Sequence, residues 1–378
     1  MNAKSDKKGL IFLLPSLAGG GAERVASILI PEFYRDFDLT LVLLDGSMDY
    51  KLPDNVRPVV LGRPSSSPLV HILRIPYQVA RISRMVKRIR PIAVLSFMEQ
   101  ANIINSLASI ITKHPTILSE RNDPVKQYSY KGLLGKSILF ASKYLYKRAR
   151  ITICVSKQIC RTLETYYSIN PCNLTFIPNP INPDPIDHTC HAKIDIQQHF
   201  ILQVGRLTVQ KGQDITLRAF RNLLEVFPNL HLVFAGEGPD RQRLEQLAKK
   251  LGVYEKIRFL GWVKDPRPLM KKALFLVHPS RYEGWPNVLA EALWCGCPVI
   301  ATRCGGGPEE MLEDGRFGML IAPDNEKELE KAMRLFLEDG ELRKEFMEAG
   351  RIRARDFEPS KIALRYKKVI EEAALGAD

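Results

Sequence analysis

Two glutamates flank the predicted start of a helix in the second half of the chain. Glu283 lies just before Pro286, a residue type favoured as the first of a helix. Glu291 follows five residues into that helix, roughly 7.5 Å along its axis. The helix start, near Asn287 and Val288, carries a positive partial charge, and carboxylates bind vicinal hydroxyls because each accepts two hydrogen bonds. This spacing suits a sugar at Glu283, a diphosphate at the helix start and a ribose at Glu291.

A loop with two cations follows a predicted strand in the same half of the chain. It has the sequence V-G-R-L-T-V-Q-K-G, residues 204–212, in which Gly205 makes the exit turn. Arg206 can bind phosphate oxygens in pairs and Lys211 acts as a point charge, so the two together suit a diphosphate. The alternative is a pair of ordinary solvated cations. With two cations to stabilise a leaving diphosphate, no divalent metal is expected at this site.

A glycine turn, Gly19-Gly20-Gly21, directly follows the first predicted strand and opens a helix that we expect to end at Pro31. Glycines let a backbone approach a phosphate or a sugar closely, and a helix start favours negative charge. The spacing differs from G-x-G-x-x-G, which argues against a dinucleotide-dependent dehydrogenase. A turn that merely connects two elements is the alternative for Gly20 and Gly21.

Short runs that are apolar on both faces alternate with amphipathic stretches along the whole chain, which is typical of buried parallel strands joined by helices. The predicted strands are 11–14, 39–44, 92–97, 116–119, 151–155, 174–177, 200–205, 230–236, 257–260, 274–278, 298–301 and 318–321. Two such sets predict an α/β protein with two doubly wound, Rossmann-like parallel-sheet domains. Because ligands bind outside the carboxyl ends of such strands, we expect the two domains to face each other across a cleft.

A proline-rich segment separates the two sets of strands. Residues 178–187 have the sequence P-N-P-I-N-P-D-P-I-D without periodicity, so they are predicted to be a linker. Residues 1–178 form the predicted first domain and residues 179–358 the second. The tail from Ser360 to Ala374 has a helical pattern. Its apolar face consists of Ile362, Tyr366, Val369 and Ile370.

Positive charge is concentrated in the first domain. The whole chain of 378 residues carries a formal charge of +13. Residues 1–178 hold 25 Lys and Arg against 12 Asp and Glu, whereas the remainder is balanced at 30 of each. This asymmetry indicates an anionic partner for the first domain, such as a nucleic acid, a phospholipid surface or an anionic substrate. Solvated basic faces are the alternative.

The cysteine pattern and the hydropathy favour a cytosolic protein. Seven cysteines include no paired C-x-x-C motifs, which argues against a disulfide framework and against a zinc site. No stretch approaches the ~20 apolar residues that span a bilayer, so any membrane contact must be peripheral. The basic and apolar start of the sequence resembles a signal peptide, but Pro15 and the glycine turn favour a first strand instead.

Two basic amphipathic segments are candidates for contact with an anionic membrane. In residues 74–90 the apolar positions have helical spacing, and a stripe that packs into the core is the favoured interpretation. In residues 126–150 aromatic residues are interleaved with the cations, which favours membrane contact and leads to the hypothesis of a lipid-linked acceptor. The cations are Arg74, Arg81, Arg84, Lys87, Arg88 and Arg90 in the first segment and Lys126, Lys131, Lys136, Lys143, Lys147, Arg148 and Arg150 in the second. The aromatic residues of the second segment are Tyr128, Tyr130, Phe140, Tyr144 and Tyr146.

Taken together, the motifs resemble those of the retaining glycosyltransferases of family 4, which have the GT-B fold. The segment with Glu283 and Glu291 is similar to the E-x7-E signature of that family. Further similar segments, in family order over nearly the whole chain, are G-G-G-A-E-R (19–24), V-G-R-L-x-x-x-K-G (204–212), G-E-G-P-D-R (236–241), F-L-G-W-V (259–263) and G-G-G-P-E-E (305–310). The resemblance is to bacterial enzymes of O-antigen, capsule and glycolipid assembly.

The resemblance implies a role for each motif. Glu283 would contact the transferred sugar, Arg206 and Lys211 the diphosphate, and Glu291 the ribose. The donor-binding residues implied are Gly20, Gly21, Gly236, Trp262, Val263, Asn287, Val288 and Glu291, with the backbone near Trp262 and Val263 holding the base. The C-terminal helix, 359–378, would pack back onto the first domain. The reaction would transfer a hexosyl or N-acetylhexosaminyl group from a nucleoside diphosphate sugar, expected to be UDP-linked, with retention of configuration.

One departure from the family concerns the acceptor side of the first domain. Members often have a histidine shortly after the fourth strand, whereas this chain has S-E-R-N-D-P, with Arg121 at that place. An arginine does not act as a base, but it can bind an acceptor diphosphate. Glu120, Arg121 and Asn122 are therefore the predicted acceptor-side residues, and the acceptor is expected to be a saccharide or glycolipid carried on a polyprenyl diphosphate.

Three other functions are open at this point. A nucleotide-sugar epimerase has the same two-domain fold, and a non-catalytic protein that binds sugars or lipids is a second possibility. A nucleic-acid-binding protein would explain the charge, but no recognised motif supports one, so no nucleic acid is expected. The favoured prediction is an enzyme that needs no cofactor beyond its nucleotide-sugar co-substrate, located in the cytoplasm on the inner face of the membrane.

Overall fold

A computed structural model gives the fold of this chain for residues 7–65, 67–128, 132–181 and 199–375. Two compact units form, one from Met1–Asn182 with Glu358–Asp378 and the other from Pro183–Phe357. Each unit is built on one parallel sheet with helices between its strands. The predicted residues Tyr130 and Lys131 and the linker positions 182–187 lie outside the described residues.

The first unit contains a seven-stranded sheet in the order β3-β2-β1-β4-β5-β6-β7. Its strands are β1 Gly9–Leu14, β2 Asp38–Leu43, β3 Val59–Val60, β4 Ala93–Phe97, β5 Thr116–Glu120, β6 Ile151–Cys154 and β7 Leu174–Phe176. Its first six helices are α1 Gly21–Asp36, α2 Pro68–Ile89, α3 Glu99–Thr112, α4 Pro124–Tyr128, α5 Gly132–Tyr146 and α6 Lys157–Tyr167. The strand order reverses between β1 and β4, which opens a crevice at the carboxyl edge of the sheet.

The second unit contains a six-stranded sheet in the order β10-β9-β8-β11-β12-β13. Its strands are β8 Phe200–Val204, β9 His231–Ala235, β10 Ile257–Phe259, β11 Phe275–His278, β12 Val299–Thr302 and β13 Met319–Ile321. Its helices are α7 Gln213–Leu223, α8 Arg241–Lys250, α9 Arg267–Lys272, α10 Asn287–Cys295, α11 Gly307–Met311, α12 Glu326–Glu338 and α13 Gly340–Ala354. Here the order reverses between β8 and β11, and the loops that leave these strands meet at one edge.

All twelve predicted strands are present, and together the two sheets confirm the predicted α/β, GT-B-type fold. Residues from Leu10 to Leu14 are fully buried, as expected for a strand that is covered by helices on both faces. Among the described residues, β3 at the edge of the first sheet is the one strand that was not predicted. Two residues are too few to show a pattern, and one of them, Val60, is exposed.

The prediction that α1 ends at Pro31 is wrong, because the helix continues to Asp36. An interior proline costs about 3 kcal/mol. Beyond it, however, Phe33 is buried with its ring centroid 5.5 Å from that of Phe12 and 5.7 Å from that of Tyr366. Burying one such side chain contributes about 1.5–3 kcal/mol. The burial of Phe33 therefore offsets most of the free-energy cost of Pro31 inside the helix.

The last helix, α14 Pro359–Leu375, follows the second unit in sequence but belongs to the first. It contacts α1, β4 and β5. The four apolar residues named for it above are buried in the core of the first unit. Among the residues that the structure describes, no helix, α14 included, combines the length and apolarity needed to cross a bilayer.

Candidate active site

Two loops of the second unit are fastened to each other at the carboxyl edge of its sheet. The first, 205–212, follows β8, and the second, 279–286, follows β11. Gly212 has a φ of +66°, and a Cβ there would lie 2.1 Å from the carbonyl oxygen of Pro279, so only glycine allows this approach. The amide of Arg281 donates to the Gln210 carbonyl at 2.8 Å, and the Gln210 side chain donates to the Tyr282 carbonyl at 2.8 Å.

Buried glutamine side chains hold the loop of residues 205–212 by hydrogen bonds to its backbone. Gln203 Nε2 donates to the Lys211 carbonyl at 2.8 Å, and Thr216 Oγ1 donates to Gln203 Oε1 at 2.7 Å. Gln213 Nε2 donates to the Arg206 carbonyl at 3.0 Å. The sequence analysis did not identify these residues. A glutamine inside the apolar run F-I-L-Q-V is the one feature that points to such a role, since a buried polar group needs a partner.

The two loops bring Lys211 and Glu283 together, as their predicted roles require. Lys211 Nζ lies 2.5 Å from Glu283 Oε1, and His278 Nε2 lies 2.9 Å from the same oxygen. Ser280 Oγ lies 3.0 Å from His278 Nε2. Since a carboxylate only accepts hydrogen bonds, His278 carries its hydrogen on Nε2 and donates a hydrogen bond to Glu283. Glu283 is thus fixed in one orientation by two donors.

The electrostatic surroundings keep Glu283 ionised. Burial alone would raise the pKa of this carboxyl, but the charge of Lys211 and the hydrogen bond from His278 outweigh it and hold the pKa well below its usual range. Burial lowers the pKa of His278, against the opposing effect of Glu283, so this imidazole is neutral. The cluster is therefore a carboxylate, an ammonium and a neutral ring.

The sequence analysis missed His278, although it ends the apolar run L-F-L-V-H directly before the motif. His278→Ala is expected to lower kcat about 10- to 100-fold with less effect on the donor KM, because the ring orients Glu283 rather than the substrate. Steady-state kinetics with varied donor would measure this. His278→Gln, which returns an N–H near Nε2, should restore most of the loss. Equal losses in both variants would show that the ring only fills space.

Arg206 differs from Lys211 in having no acidic partner among the residues described, and its side chain is exposed. The loop therefore offers one cation that is already paired with Glu283 and one that is available to an anion.

Helix α10 begins at Asn287, so Pro286 precedes the helix and is not its first residue as predicted. Pro286 has a φ of −77° with an extended ψ of 96°, a conformation that suits the residue before a helix.

The glycine-rich segment 305–310 packs against the residues that directly precede α10. The amide of Gly307 donates to the Gly284 carbonyl at 3.0 Å, and a Cβ on Gly307 would lie 2.4 Å from that oxygen. The carboxylate of Glu309 accepts from the amides of Gly305 at 2.7 Å and Gly306 at 3.2 Å. Asn287 and Val288, at the positive end of the helix dipole, are only partly buried.

The predicted base-binding residues also meet at this edge. Gly236 forms an antiparallel bridge with Gly261, which places Trp262 and Val263 beside the loop after β9. A Cβ on Gly236 would lie 2.0 Å from the carbonyl oxygen of Gly205, so the loops after β8 and β9 are in contact as well. The Trp262 side chain is 72% exposed. A large aromatic ring that is exposed to solvent is available to stack on a ligand.

Glu291 lies on the buried side of α10 and is 5% exposed. Its neighbour Arg267 is paired with Asp265, with Nε to Oδ1 at 2.8 Å and Nη2 to Oδ2 at 2.7 Å. Burial opposes the charge of Arg267, but the hydrogen bonds and charge of Asp265, with a contribution from Glu291, raise its pKa. Glu291 is thus part of a buried ionic cluster that spacing along the sequence did not indicate.

The remaining predicted donor residues, Gly20 and Gly21, belong to the first unit. Gly20 is the residue before α1 and Gly21 is the first of that helix. The carbonyl of Gly20 accepts from the hydroxyl of Tyr50 at 3.1 Å, and the carboxylate of Glu23 folds back over it. The turn is therefore tightly held at the carboxyl end of β1.

Two of the three predicted acceptor-side residues point into the first unit. Arg121 is 6% exposed and donates to Ser119 Oγ at 3.3 Å, to the Tyr366 hydroxyl at 3.1 Å and to Asn179 Oδ1. Its guanidinium carbon also lies 4.6 Å from the ring centroid of Phe97. A contact of Arg121 with an acceptor diphosphate stays a prediction, one that requires the side chain to leave these partners. Its place in the structure ties α14 and the start of the predicted linker to β5.

Glu120 is also buried, whereas Asn122 is exposed. The hydroxyl of Tyr146 donates to Glu120 Oε2 at 2.8 Å, and the amide of Arg121 donates to Oε1 at 3.1 Å. Burial, together with the nearby Glu99 carboxylate, raises the pKa of Glu120 despite these donors. Of the predicted acceptor-side residues, Asn122 is thus the one that presents its side chain to solvent.

Comparisons with known proteins show the family to which this chain belongs. The family model for glycosyl transferases group 1 matches residues 191–353, and the model for glycosyltransferase family 4 matches residues 19–185. The chain is 30% identical over 353 residues, 92% of this chain and 95% of the relative, to the N-acetylgalactosamine-N,N'-diacetylbacillosaminyl-diphospho-undecaprenol 4-alpha-N-acetylgalactosaminyltransferase of Campylobacter jejuni.

A second relative from Campylobacter jejuni is 27% identical over 96% of this chain and 98% of its own length. It is the alpha-1,4-N-acetyl-D-galactosaminyltransferase that acts on GalNAc-alpha-(1->4)-GalNAc-alpha-(1->3)-diNAcBac-PP-undecaprenol. Among solved structures, sucrose-phosphate synthase from Thermosynechococcus elongatus matches with a TM-score of 0.81 and 18% identity, covering 97% of this chain and 99% of that one. This structural likeness concerns the fold.

Proposed function

The chain belongs to the glycosyltransferases of group 1 and family 4, and from that premise we propose a specific transfer reaction for it. In this proposal it moves a hexosyl or N-acetylhexosaminyl group from a UDP-sugar to a saccharide carried on a polyprenyl diphosphate in cell-surface polysaccharide synthesis. The observation that carries the proposal is the cluster of Lys211, Glu283 and His278 directly before the start of α10.

The donor diphosphate is assigned to the two cations and the helix start. Breaking the anomeric C–O bond leaves negative charge on the diphosphate, and donors that are fixed beforehand stabilise it without reorganisation. Lys211 is held by Glu283, while Arg206 is exposed and has no ion-pair partner within the described ranges. The partial positive charge near Asn287 and Val288 adds to theirs. Because these groups neutralise the leaving group, we propose that no divalent metal is required.

Glu283 is assigned to the transferred sugar. As an ionised carboxylate it accepts hydrogen bonds from sugar hydroxyls, and its charge also favours the positive, oxocarbenium-like sugar of the transition state. Trp262 and Val263 are assigned to the base and Glu291 to the ribose, in line with the family resemblance. In the first unit, Gly20 and Gly21 are assigned to the donor and Asn122, with Glu120 and Arg121 behind it, to the acceptor.

The acceptor and the stereochemistry are proposed from the relatives. Both Campylobacter jejuni enzymes are named for undecaprenyl-diphosphate-linked acceptors and for alpha linkages. An alpha product from a donor with an alpha-linked diphosphate corresponds to retention of configuration. We extend both properties to this chain, with the nucleoside diphosphate sugar as its co-substrate.

A peripheral position at the inner face of the membrane is proposed from the surface of the first unit. Phe140 and Tyr144 on α5 are 65% and 60% exposed, with ring centroids 4.8 Å apart. Further exposed apolar residues lie in the first three turns of α2. They are Leu69, Ile72, Leu73 and Tyr77. Of the predicted apolar stripe in residues 74–90, Ile82 is buried with residues of β1 and β4, and Val79, Met85 and Ile89 pack against the same core.

A screen of UDP- and GDP-sugars against isoprenoid-diphosphate-linked saccharides, with products identified by mass spectrometry, tests the proposed reaction. The expected product is the acceptor extended by one sugar, with release of the nucleoside diphosphate. An altered sugar that stays on the nucleotide would instead identify an epimerase. Binding without any product over the full screen would contradict catalysis on this class of acceptor.

The membrane proposal predicts that Phe140→Ser with Tyr144→Ser lowers cosedimentation with phosphatidylglycerol vesicles about tenfold at low salt, because the apolar anchor is lost while the cations remain. A matched control is Val226→Ser with Ile352→Ser, two exposed apolar residues of the second unit. Wild-type sedimentation of the Phe140 and Tyr144 variant would remove the basis for membrane contact through α5.

A further inference from the structure

An open cavity of about 780 Å³ lies at the amino edge of the first sheet. It is lined by the end of α3, by the turn from α5 into β6 and by the short 3-10 turn Pro171–Asn173. The strands of this sheet are parallel, so the cavity beside Thr116, where β5 begins, lies at the opposite edge from Glu120, where β5 ends. This amino-edge cavity is therefore separate from the acceptor-side residues.

Three exposed cations line the amino-edge cavity, namely Lys113, Arg148 and Arg150. Within the described ranges none of the three forms an ion pair, and none of the described lining residues is acidic. A cavity with three positive charges and no carboxylate concentrates anions.

The backbone of all three cations is fixed. The amide of Lys113 donates to Ser109 O at 2.8 Å, that of Arg148 to Leu145 O at 3.1 Å and that of Arg150 to Thr116 O at 2.9 Å. Lys113 has a φ of 55° as the residue that ends α3. The three side chains therefore start from fixed backbone positions around the cavity, and no backbone rearrangement is needed to bring them to one ligand.

The other polar residues of the lining add hydrogen-bonding groups without negative charge. Asn173 and Cys172 line one side. Burial lowers the pKa of His114 to about 4, so this ring is neutral near pH 7. It is also occupied inside the unit, with Nε2 2.9 Å from Asn105 Oδ1. The positive charge of the cavity therefore comes from the three cations alone.

One wall of the amino-edge cavity is apolar. Ile110 and Ile151 line the cavity, and the Ile110 side chain is 48% exposed. The volume falls within the roughly 300–1,000 Å³ of small-molecule sites and exceeds what one phosphate group needs. A phosphate joined to a larger organic group matches both the charge and the apolar wall.

We propose that the amino-edge cavity binds a phosphate-bearing ligand through Lys113, Arg148 and Arg150. The phosphate belongs either to a phospholipid headgroup or to a free phosphate ester. A purely structural role of the three cations would explain their positions less completely. Cations at helix ends stabilise the dipole, and α3 and α5 both end here, but that effect fades within one turn and does not require three cations around one cavity.

The test compares two variants that lose the same charge. Lys113→Gln/Arg148→Gln/Arg150→Gln empties the cavity of cations, and Lys8→Gln/Arg57→Gln/Arg161→Gln removes three exposed cations elsewhere on the same unit. Titration calorimetry with glycerol 1-phosphate is expected to show at least about tenfold weaker binding for the cavity variant, and less than about twofold for the control. Equal affinities in the two variants, with or without a lower Tm of the cavity variant, would overturn the proposal.

Vesicle sedimentation separates the two sources of the phosphate. If glycerol 1-phosphate displaces the wild type from phosphatidylglycerol vesicles and the cavity variant binds them about tenfold less, the ligand is a lipid headgroup. If only soluble binding is lost, it is a free phosphate ester. The Phe140 and Tyr144 variant should keep its affinity for glycerol 1-phosphate, which separates this site from the proposed membrane anchor. Sugar transfer does not enter either measurement, so the proposed reaction and this site fail independently.

If the triple cavity variant does not fold, Arg148→Gln and Arg150→Gln are measured singly. Each is expected to weaken glycerol 1-phosphate binding about threefold, with Arg161→Gln as the matched single control. Wild-type affinity in both single cavity variants would contradict the site.

Discussion

Replacing Glu283 by alanine is expected to lower kcat about 100- to 1,000-fold, with a smaller change in the donor KM. The carboxylate is ionised and lies at one end of a cluster in which Lys211 and His278 both contact its Oε1 atom. Its loss removes the negative charge that faces the developing positive charge on the sugar. It also frees Lys211, so that the remaining cation is no longer held in place.

Steady-state kinetics with the donor and acceptor found in the screen would measure this effect. Glu283→Gln keeps the shape but not the charge, and it should fall between wild type and alanine if orientation and charge both matter. Glu345→Ala, at an exposed carboxylate of α13, is the matched control and should act like wild type. A near-normal kcat in Glu283→Ala would reject the role assigned to this residue.

Replacing Lys211 by alanine is expected to lower kcat by a similar factor, about 100- to 1,000-fold, and also to change the pH profile. In the wild type the charge of Lys211 is the largest influence that lowers the pKa of Glu283. Without that charge, burial raises this pKa, and Glu283 becomes protonated as the pH falls. The variant should therefore lose its residual activity towards acid pH, whereas Glu283 of the wild type stays ionised between about pH 5 and 9.

The measurement is kcat as a function of pH for the wild type, Lys211→Ala and Lys211→Arg. Arginine keeps a positive charge, so this variant should keep the flat acid side even if the changed geometry lowers its rate. Lys327→Ala, at an exposed lysine on α12, is the matched control. An unchanged profile in Lys211→Ala would show that Lys211 does not control the ionisation of Glu283.

The parts of the fold that follow from local pattern were predictable. Runs such as I-F-L-L and L-H-L-V-F-A are apolar on both faces, so they identify buried parallel strands without any knowledge of their neighbours. The loop with Lys211 and the segment with Glu283 were predictable as parts of one site because both follow strands, and the carboxyl ends of parallel strands share one edge.

The parts that depend on distant partners were not predictable. His278, Gln203 and Arg267 are polar residues in or beside buried elements, and their roles depend on side chains far away in the sequence, such as Thr216 and Asp265. Spacing along the chain does not report such pairs. The same reason applies to Pro31, where the core packing of Phe33 overrides a local rule.

The contacts of Arg121, a residue with a proposed functional role, were not predictable from the sequence either. Its place in the motif S-E-R-N-D-P indicates the acceptor side, and it does follow β5 as expected. The partners that surround it, Tyr366 and Asn179, come from α14 and from the start of the predicted linker. A side chain with three anchoring points of this kind holds the first unit together, and only the folded chain shows them.

We propose that a donor diphosphate binds between Arg206, Lys211 and the start of α10. A crystal structure of the chain with a bound UDP-sugar tests it most directly. The expected result places diphosphate oxygens within about 3.2 Å of Lys211 Nζ and the Arg206 guanidinium, with the sugar against Glu283. A diphosphate bound elsewhere, with these three side chains free of the ligand, would contradict the account.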